Sequence, residues 1–346
     1  MRSLQRPQPP TTSPAGTPSL LEVRDLRKDF FVRGGLAGVT GRRITALAGV
    51  SLSVLPGRIV GVVGESGSGK STLGELVVGL QEPTGGEIYF DGRPLFAWLR
   101  RNPREFRRRA QIIFQDPYES LNPRFRVMDA VEEPLIIQGV PRSARRDAVV
   151  QALTDCGLRP ADVFLDRYPH ELSGGQRQRV AIARAVVVDP DFLVADEPVS
   201  MLDVSVRSGI LNLLADLRQR RGLAILFISH DLATVRYLCD EIIVLYLGQI
   251  MEQGAVEELV RRPRHPYTQA LLAAAPRADP DQPLGEVPVR GDPETRAYEQ
   301  GCVFSPRCPH AVKRCQAEIP PLRPVVPGVL VACHFATPQG RIEGSA

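Results

Sequence analysis

Two kinds of hydrophobic run organise the chain. Short continuous apolar stretches at Ile59–Val63, 192–195 and 224–228 suit strands buried on both faces of a sheet. Near the start, 21–31 and 44–55 alternate more loosely and look like antiparallel strands. Helical patterning follows over 72–80 and dominates 128–188, where Pro141, Pro160 and Pro169 interrupt it. Strands alternating with helices from Leu20 to about 275 predict an α/β domain. Residues 1–18 hold Pro, Thr, Ser and Gly with little apolar surface and read as a disordered tail. Beyond Pro276 helical periodicity fades, Pro, Arg and Gly become frequent, and four of the six cysteines fall between 302 and 333. The expected organisation is therefore a tail (1–18), a main domain (19–275) with a helical insert about 99–188, and a small cysteine-bearing C-terminal domain (276–346).

Composition adds limits. The 346 residues are 43% hydrophobic and 24% charged, ordinary for a globular protein with a sizeable core. No stretch approaches the ~18 apolar residues of a membrane helix, and the N-terminus has no apolar run of a secretory signal, so the expectation is neither a secreted nor a membrane-spanning chain. A formal charge of +4 is too weak to argue for nucleic acid. Of the 43 basic residues only Lys28, Lys70 and Lys313 are lysine, which makes each lysine informative. Six cysteines in such a chain point to burial, metal or reactivity rather than a disulfide framework. The dense run Arg100, Arg101, Arg104, Arg107, Arg108, Arg109 reads as a solvated face, with anionic lipid headgroups the functional alternative.

Gly64, Glu65, Ser66, Gly67, Ser68, Gly69, Lys70 and Ser71 satisfy G-x-x-x-x-G-K-[ST] in full. Glycines let backbone N–H groups turn in around phosphates, Lys70 reaches the β and γ phosphates, and the Ser71 hydroxyl ligates Mg²⁺. A strand precedes the loop and a helical run from Thr72 follows, which adds a helix N-terminus to the anion site. The apolar run ending at Asp196 and Glu197 supplies a metal-holding carboxylate and, next to it, a base for the attacking water. Leu172, Ser173, Gly174, Gly175 and Gln176 open another helical run, a further anion-ready N-terminus.

That Leu-Ser-Gly-Gly-Gln segment, between a phosphate loop and an Asp-Glu strand, resembles the signature of ATP-binding cassette (ABC) ATPases, a P-loop NTPase fold with antiparallel β and helical subdomains. The resemblance covers about 20–275. It implies that Phe30 stacks on adenine, that Gln115 is the Q-loop glutamine and a Mg²⁺ ligand beside Ser71 and Asp196, and that Asp203 closes a D-loop in which Met201 replaces the commoner Ala. It also implies that His230 is the switch histidine. ATP would lie between the loop of one subunit and Leu172–Gln176 of another. The segments 115–124 and 265–272 look like the oligopeptide/dipeptide importer ATPases, as does the tail through Cys302, Cys308, Cys333 and His334. Such subunits sit peripherally on the cytoplasmic face of the cell membrane. Their implied partners are two membrane permeases, a second ABC ATPase (a paralogue or the same chain) and, through the complex, an extracytoplasmic solute-binding protein. A soluble ABC ATPase acting on nucleic acid or ribosomes is the alternative; with one cassette and no sustained heptad run here, no nucleic-acid partner is expected.

Cys302, Cys308, Cys315 and Cys333 are separated by 5, 6 and 17 residues, without the C-x₂₋₄-C pair usual in zinc modules. Four thiolates can hold an iron–sulfur cluster, zinc, or nothing; the importer resemblance implies a four-iron, four-sulfur cluster, with His310 and His334 as outer neighbours. Arg307, Lys313 and Arg314 are expected to offset its negative charge. Cys156 and Cys239 read as small buried hydrophobes.

Overall fold

The computed structural model describes residues 18–32, 42–274, 289 and 300–340. The expected disordered tail (1–18) lies outside them but for residue 18, as does most of the expected boundary after 275. Twelve strands are described. They are β1 (Leu21–Val32), β2 (Arg42–Val54), β3 (Ile59–Val63), β4 (Gly85–Phe90), β5 (Arg93–Pro94) and β6 (Ala110–Ile113), then β7 (Phe192–Asp196), β8 (Ala224–Ser229), β9 (Glu241–Tyr246), β10 (Gln249–Ala255), β11 (Arg323–Val326) and β12 (Val329–Val331). A four-stranded sheet runs β2-β1-β4-β5 and an eight-stranded sheet β11-β12-β10-β9-β3-β8-β7-β6.

β1 and β2 pair antiparallel as their looser alternation predicts, whereas β6, β7, β8, β3 and β9 are mutually parallel. Parallel strands need both faces covered, which explains their uninterrupted apolar sequences. Leu193, Ala195, Ile225 and Phe227 belong to one core cluster and Phe192, Val194, Leu226 and Ile228 to the other, on the opposite face. The second cluster also takes in β1, β2 and β4, so the antiparallel sheet closes over one face of the main sheet. Phe90, Trp98, Phe106 and Phe192 meet there edge to face or tilted, with centroids 5.4–6.1 Å apart.

Two expectations change. The stretch 99–188 is not helical throughout: β6 lies within it and pairs parallel to β7 before the helices Val127–Ile137, Arg142–Asp155 and Gly174–Val186. Four apolar-leaning residues behind an arginine-rich helix carry too short a period to announce a strand. Nor does the cysteine-bearing C-terminal segment stand as a separate small domain. β12 pairs with β10, and Cys302, Phe304, Cys308 and Cys315 belong to the same core cluster as β7 and β8. A segment this short cannot build its own core and completes the edge of an existing one.

One buried polar knot fixes the helix nearest that segment. Glu252 of β10 is fully buried and accepts the backbone N–H groups of Arg264 (2.9 Å) and His265 (3.0 Å). Burial raises its carboxyl pKa, while the two N–H bonds oppose the rise. His265 is also fully buried and stays neutral, its pKa pushed down to about 3 by desolvation; its Nδ1 accepts the Tyr267 N–H (3.0 Å). Pro266 then starts the helix Pro266–Ala274, where its missing donor costs nothing. Glu252→Ala leaves two buried N–H groups unpaired and should lower unfolding free energy by about 3 kcal/mol. Urea unfolding checks this; Glu252→Gln, which keeps one acceptor oxygen, should lose less.

Candidate functional site

Four sequence-distant motifs meet because their strands are neighbours in the parallel order β3-β8-β7-β6 and all point the same way. The phosphate loop follows β3, His230 follows β8, Asp196 ends β7 with Glu197 next in chain, and Gln115 lies two residues past β6. The carboxyl edge of a parallel sheet is where α/β folds bind ligands.

The loop from Gly64 to Ser71 is set by contacts that exclude side chains. A Cβ on Gly64 would lie 2.1 Å from Leu245 O, and one on Gly69 would lie 2.4 Å from Ala46 O at φ +101°. Ser66 and Gly67 are exposed, Glu65 half-buried and Ser68 buried. Lys70 is buried, and its Nζ donates to Gly64 O (2.8 Å) and Glu65 O (2.9 Å). Desolvation lowers its pKa, opposed by the nearby carboxylates of Glu197, Asp196 and Glu65. Lys70 and Ser71 begin the helix Lys70–Val77, and Thr72 is half-buried in its first turn.

Asp196 is buried, and burial raises its pKa; the Ser71 hydroxyl bonds its carboxylate and favours the charged form. Its Oδ1 has no hydrogen-bond partner. An orphaned, desolvated carboxylate oxygen beside a serine hydroxyl is a donor set for a hard divalent cation such as Mg²⁺. Glu197 sits next in chain, and its Oε2 meets both Gln115 Nε2 (3.3 Å) and His230 Nδ1 (3.1 Å). The Glu197 backbone is left-handed, φ +44°, a costly state for a glutamate. Its N–H to Ile228 O (2.9 Å) and its carbonyl, which accepts from Ser200 Oγ (3.0 Å), hold it there.

Leu172 is buried while Ser173 and Gly174 are exposed. Ser173 caps the helix Gly174–Val186: its Oγ accepts the Gln176 N–H (3.3 Å), and Gln176 Oε1 accepts the Ser173 N–H (3.1 Å). A Cβ on Gly175 would lie 2.5 Å from Val206 Cγ1, so that glycine serves close packing against the helix Val204–Arg221. Asp203 stands exposed at the start of that helix, and Met201 is exposed beside it. This anion-ready helix start faces solvent in the single chain. Phe30 is half-buried on β1, with Lys28 Nζ 5.1 Å from its ring centroid.

The four C-terminal cysteines are free thiols that line one small pocket, partly open to solvent, with Phe304, Phe335 and His310. Burial pushes the Cys302 thiol up to about 11 and the Cys308 thiol up to about 12, and raises Cys333. Among the described residues no three His, Cys, Asp or Glu stand close enough to hold one metal ion. Zn–S bonds of ~2.3 Å would draw four sulfurs to about 3.8 Å of each other. Two of the three expected charge partners are engaged elsewhere, Arg307 with Glu65 and Arg314 with Glu318, each at 2.8 Å, and Lys313 is exposed. Cys156 and Cys239 are buried as expected. In the arginine run, Arg109 is an anchor for Asp91 and Asp191, while Arg101, Arg104, Arg107 and Arg108 are exposed.

Sequence reasoning did not place two residues at the loop, Tyr267 and Arg307, the latter having been assigned to the cysteines' charge. Tyr267 Oη accepts the Glu65 N–H (2.9 Å), and Arg307 Nη1 donates to both Glu65 carboxylate oxygens (3.0 and 2.8 Å). The sequence marked the His-Pro-Tyr segment and the cysteine tail only as family resemblances, with no local pattern tying either to the loop.

Two families match: ABC transporter over residues 47–200, and the oligopeptide/dipeptide transporter C-terminal region over 251–315. A Brucella ovis protein carrying the name peptide import ATP-binding protein is 49% identical over 316 residues, 91% of this chain and 97% of that one. The Escherichia coli dipeptide transport ATP-binding protein DppF is 45% identical over 322 residues, 92% and 95% of the two chains. Among solved structures, a dimeric post-hydrolysis state of the ATP-binding cassette MJ0796 bound to ADP and Pi superposes with TM-score 0.60 at 30% identity. It covers 68% of this chain and 98% of that one. Among the described residues no helix is long and apolar enough to cross a membrane.

Proposed function

The chain belongs to the ABC transporter family, in its oligopeptide/dipeptide branch, and from that premise we propose that it hydrolyses ATP to drive peptide import through membrane permeases. One observation carries the chemistry: Glu197, at the mouth of the phosphate loop, holds Gln115 and His230 on a single carboxylate oxygen.

The loop amides and Lys70 take the phosphates of ATP, and Phe30 offers its ring to adenine. Lys70 now donates to the carbonyls of Gly64 and Glu65, and exchanges them for β- and γ-phosphate oxygens. Ser71, Gln115 and Asp196 would hold Mg²⁺, which would supply positive charge against the β- and γ-phosphates. Glu197 takes a proton from the water that attacks the γ-phosphorus, and His230 fixes that carboxylate against it. Gln115 ties the same carboxylate to the β6 loop and so links the reacting centre to the surface facing the permeases.

Ser173, Gly174 and Asp203 complete the site of a second ATPase subunit, the same chain or a paralogue. The exposed, capped helix start supports this, because its N–H groups have a γ-phosphate to meet only across an interface. The complex sits at the cytoplasmic face of the membrane, is fed by an extracytoplasmic binding protein, and has no nucleic-acid partner. Specificity for the solute rests with the permeases and binding protein.

The C-terminal segment is the branch's four-cysteine module, and Cys302, Cys308, Cys315 and Cys333 hold a four-iron, four-sulfur cluster. Four thiols lining one pocket, in a segment whose first part matches the oligopeptide/dipeptide transporter C-terminal region, support a shared group there. ATP hydrolysis moves no electrons, so the group staples the fold.

Glu197→Gln keeps the shape of the carboxylate but cannot take the proton; turnover should fall by about 10²–10⁴ with MgATP binding retained. Turnover within a few-fold of the parent would refute Glu197 as base. Lys70→Ala should weaken binding and hydrolysis together. For a homodimer, mixing Lys70→Ala with Ser173→Arg subunits should restore part of the activity, because one mixed interface keeps an intact loop facing an intact signature. With an obligate paralogue, neither mixture nor single chain is active; full activity of a monomer contradicts a shared site. Protein purified without oxygen should be brown and contain iron and labile sulfide, and Cys308→Ser should lose both. Stoichiometric zinc without iron would overturn the cluster.

A further inference from the structure

Glu65 is the second residue of the phosphate loop and an awkward one, since it places a carboxylate where a polyanion is to bind. Three of its groups are tied down. Its carbonyl accepts Lys70 Nζ (2.9 Å), its N–H donates to Tyr267 Oη (2.9 Å), and its carboxylate takes both bonds from Arg307 Nη1 (3.0 and 2.8 Å). The last two partners lie 202 and 242 residues away in sequence. Arg307 keeps only 10% of its side chain exposed, within 6.0 Å of the Tyr246 and Phe304 ring centroids, and Tyr267 is 1% exposed. Arg307 also sits in the tight turn between two pocket cysteines: Ser305 N–H donates to Cys302 O (2.9 Å), and the N–H groups of Arg307 and Cys308 both donate to Phe304 O (3.0 Å each). The turn that shapes the cysteine cavity is therefore the turn that aims the guanidinium at the loop.

We propose that Arg307 and Tyr267 are positioning residues for nucleotide binding, which neutralise and orient Glu65 and so couple the cysteine-lined pocket to the phosphate loop. This rests on the reading of the loop as the ATP site. Arg307 cancels a charge that would otherwise repel the triphosphate, and Tyr267 stops the Gly64–Glu65 peptide from turning its N–H away. Both act on Glu65, while Glu197 is held by Gln115 and His230 instead. Their loss is felt in ground-state affinity, so KM moves and kcat moves far less.

The experiment measures MgATP binding and steady-state hydrolysis on the full chain in its active assembly. Arg307→Ala should raise Kd and KM for MgATP by about tenfold, the scale of one partly buried charge-assisted pair, with kcat at saturation altered less than about threefold. Arg307→Lys keeps the charge and should recover most of the affinity. The decisive arm is Glu65→Gln added to Arg307→Ala, which removes the uncompensated charge and should restore binding to within about threefold of the parent. A merely structural arginine gives no such suppression. Tyr267→Phe retains the ring and loses only the acceptor; it should raise KM about three- to fivefold and serves equally if Arg307→Ala does not accumulate folded. Arg307→Ala and Tyr267→Phe both within twofold of the parent, or no rescue by Glu65→Gln, overturns the proposal. A parent chain that itself fails to bind MgATP refutes the ATP reading instead.

Discussion

The whole arrangement depends on a loop with no room for side chains. Gly64 presses against Leu245 O of β9 and Gly69 against Ala46 O of β2, each closer than any Cβ could tolerate. The turn between β9 and β10 locks the same junction, because Gly248 N–H donates to Ser68 O and Gly248 O accepts from Ala48 N–H, both at 2.9 Å. The main sheet, the antiparallel sheet and the phosphate loop thus share one bridging residue, itself in a left-handed conformation at φ +77°. The glycines are there for contact as well as for turning, and the contact aligns two sheets with the loop between them.

The strained Glu197 is the second constraint. A non-glycine residue at positive φ costs about 1–3 kcal/mol. It persists because β7, which leads into the bend, and its neighbour β8 are completely buried and their ladder is continuous. That bend takes the chain away from the sheet at once, so consecutive carboxylates have different tasks. Asp196 stays buried beside Ser71, and Glu197 turns out to meet Gln115 and His230. An extended backbone would have sent the second carboxylate to the opposite face of the sheet.

The C-terminal segment is joined to this machinery by two kinds of bond. The β10–β12 pairing and the packing of Phe304 on Tyr246 and Tyr267, at centroid distances of 5.4 and 5.3 Å, seat it on the edge of the main sheet. Polar contacts then run from the seat to the loop through Tyr267 and Arg307. Glu252 sits behind them, holding the start of the Tyr267 helix by two backbone N–H groups. Anchors of this kind are stiff because each buried polar atom is specified by its partner.

Local physics is written in local sequence, and that is what the chain alone determined. The glycine-rich loop, the apolar strands β3, β7 and β8, and the serine-capped helix start each need only neighbours within a few residues, so pattern and spacing were enough to find them. Gln115 and His230 were legible only as members of a recognised set, since one polar residue after an apolar run has no distinctive period. β6 was lost inside a helical stretch for the same reason. The tertiary structure alone decided that the cysteine segment shares the main core, that Arg307 serves Glu65 rather than the cysteines' charge, and that a His-Pro-Tyr helix start holds the phosphate loop. Those pairs lie hundreds of residues apart, and a contact between two unpatterned side chains becomes definite only when the sheet order brings them face to face.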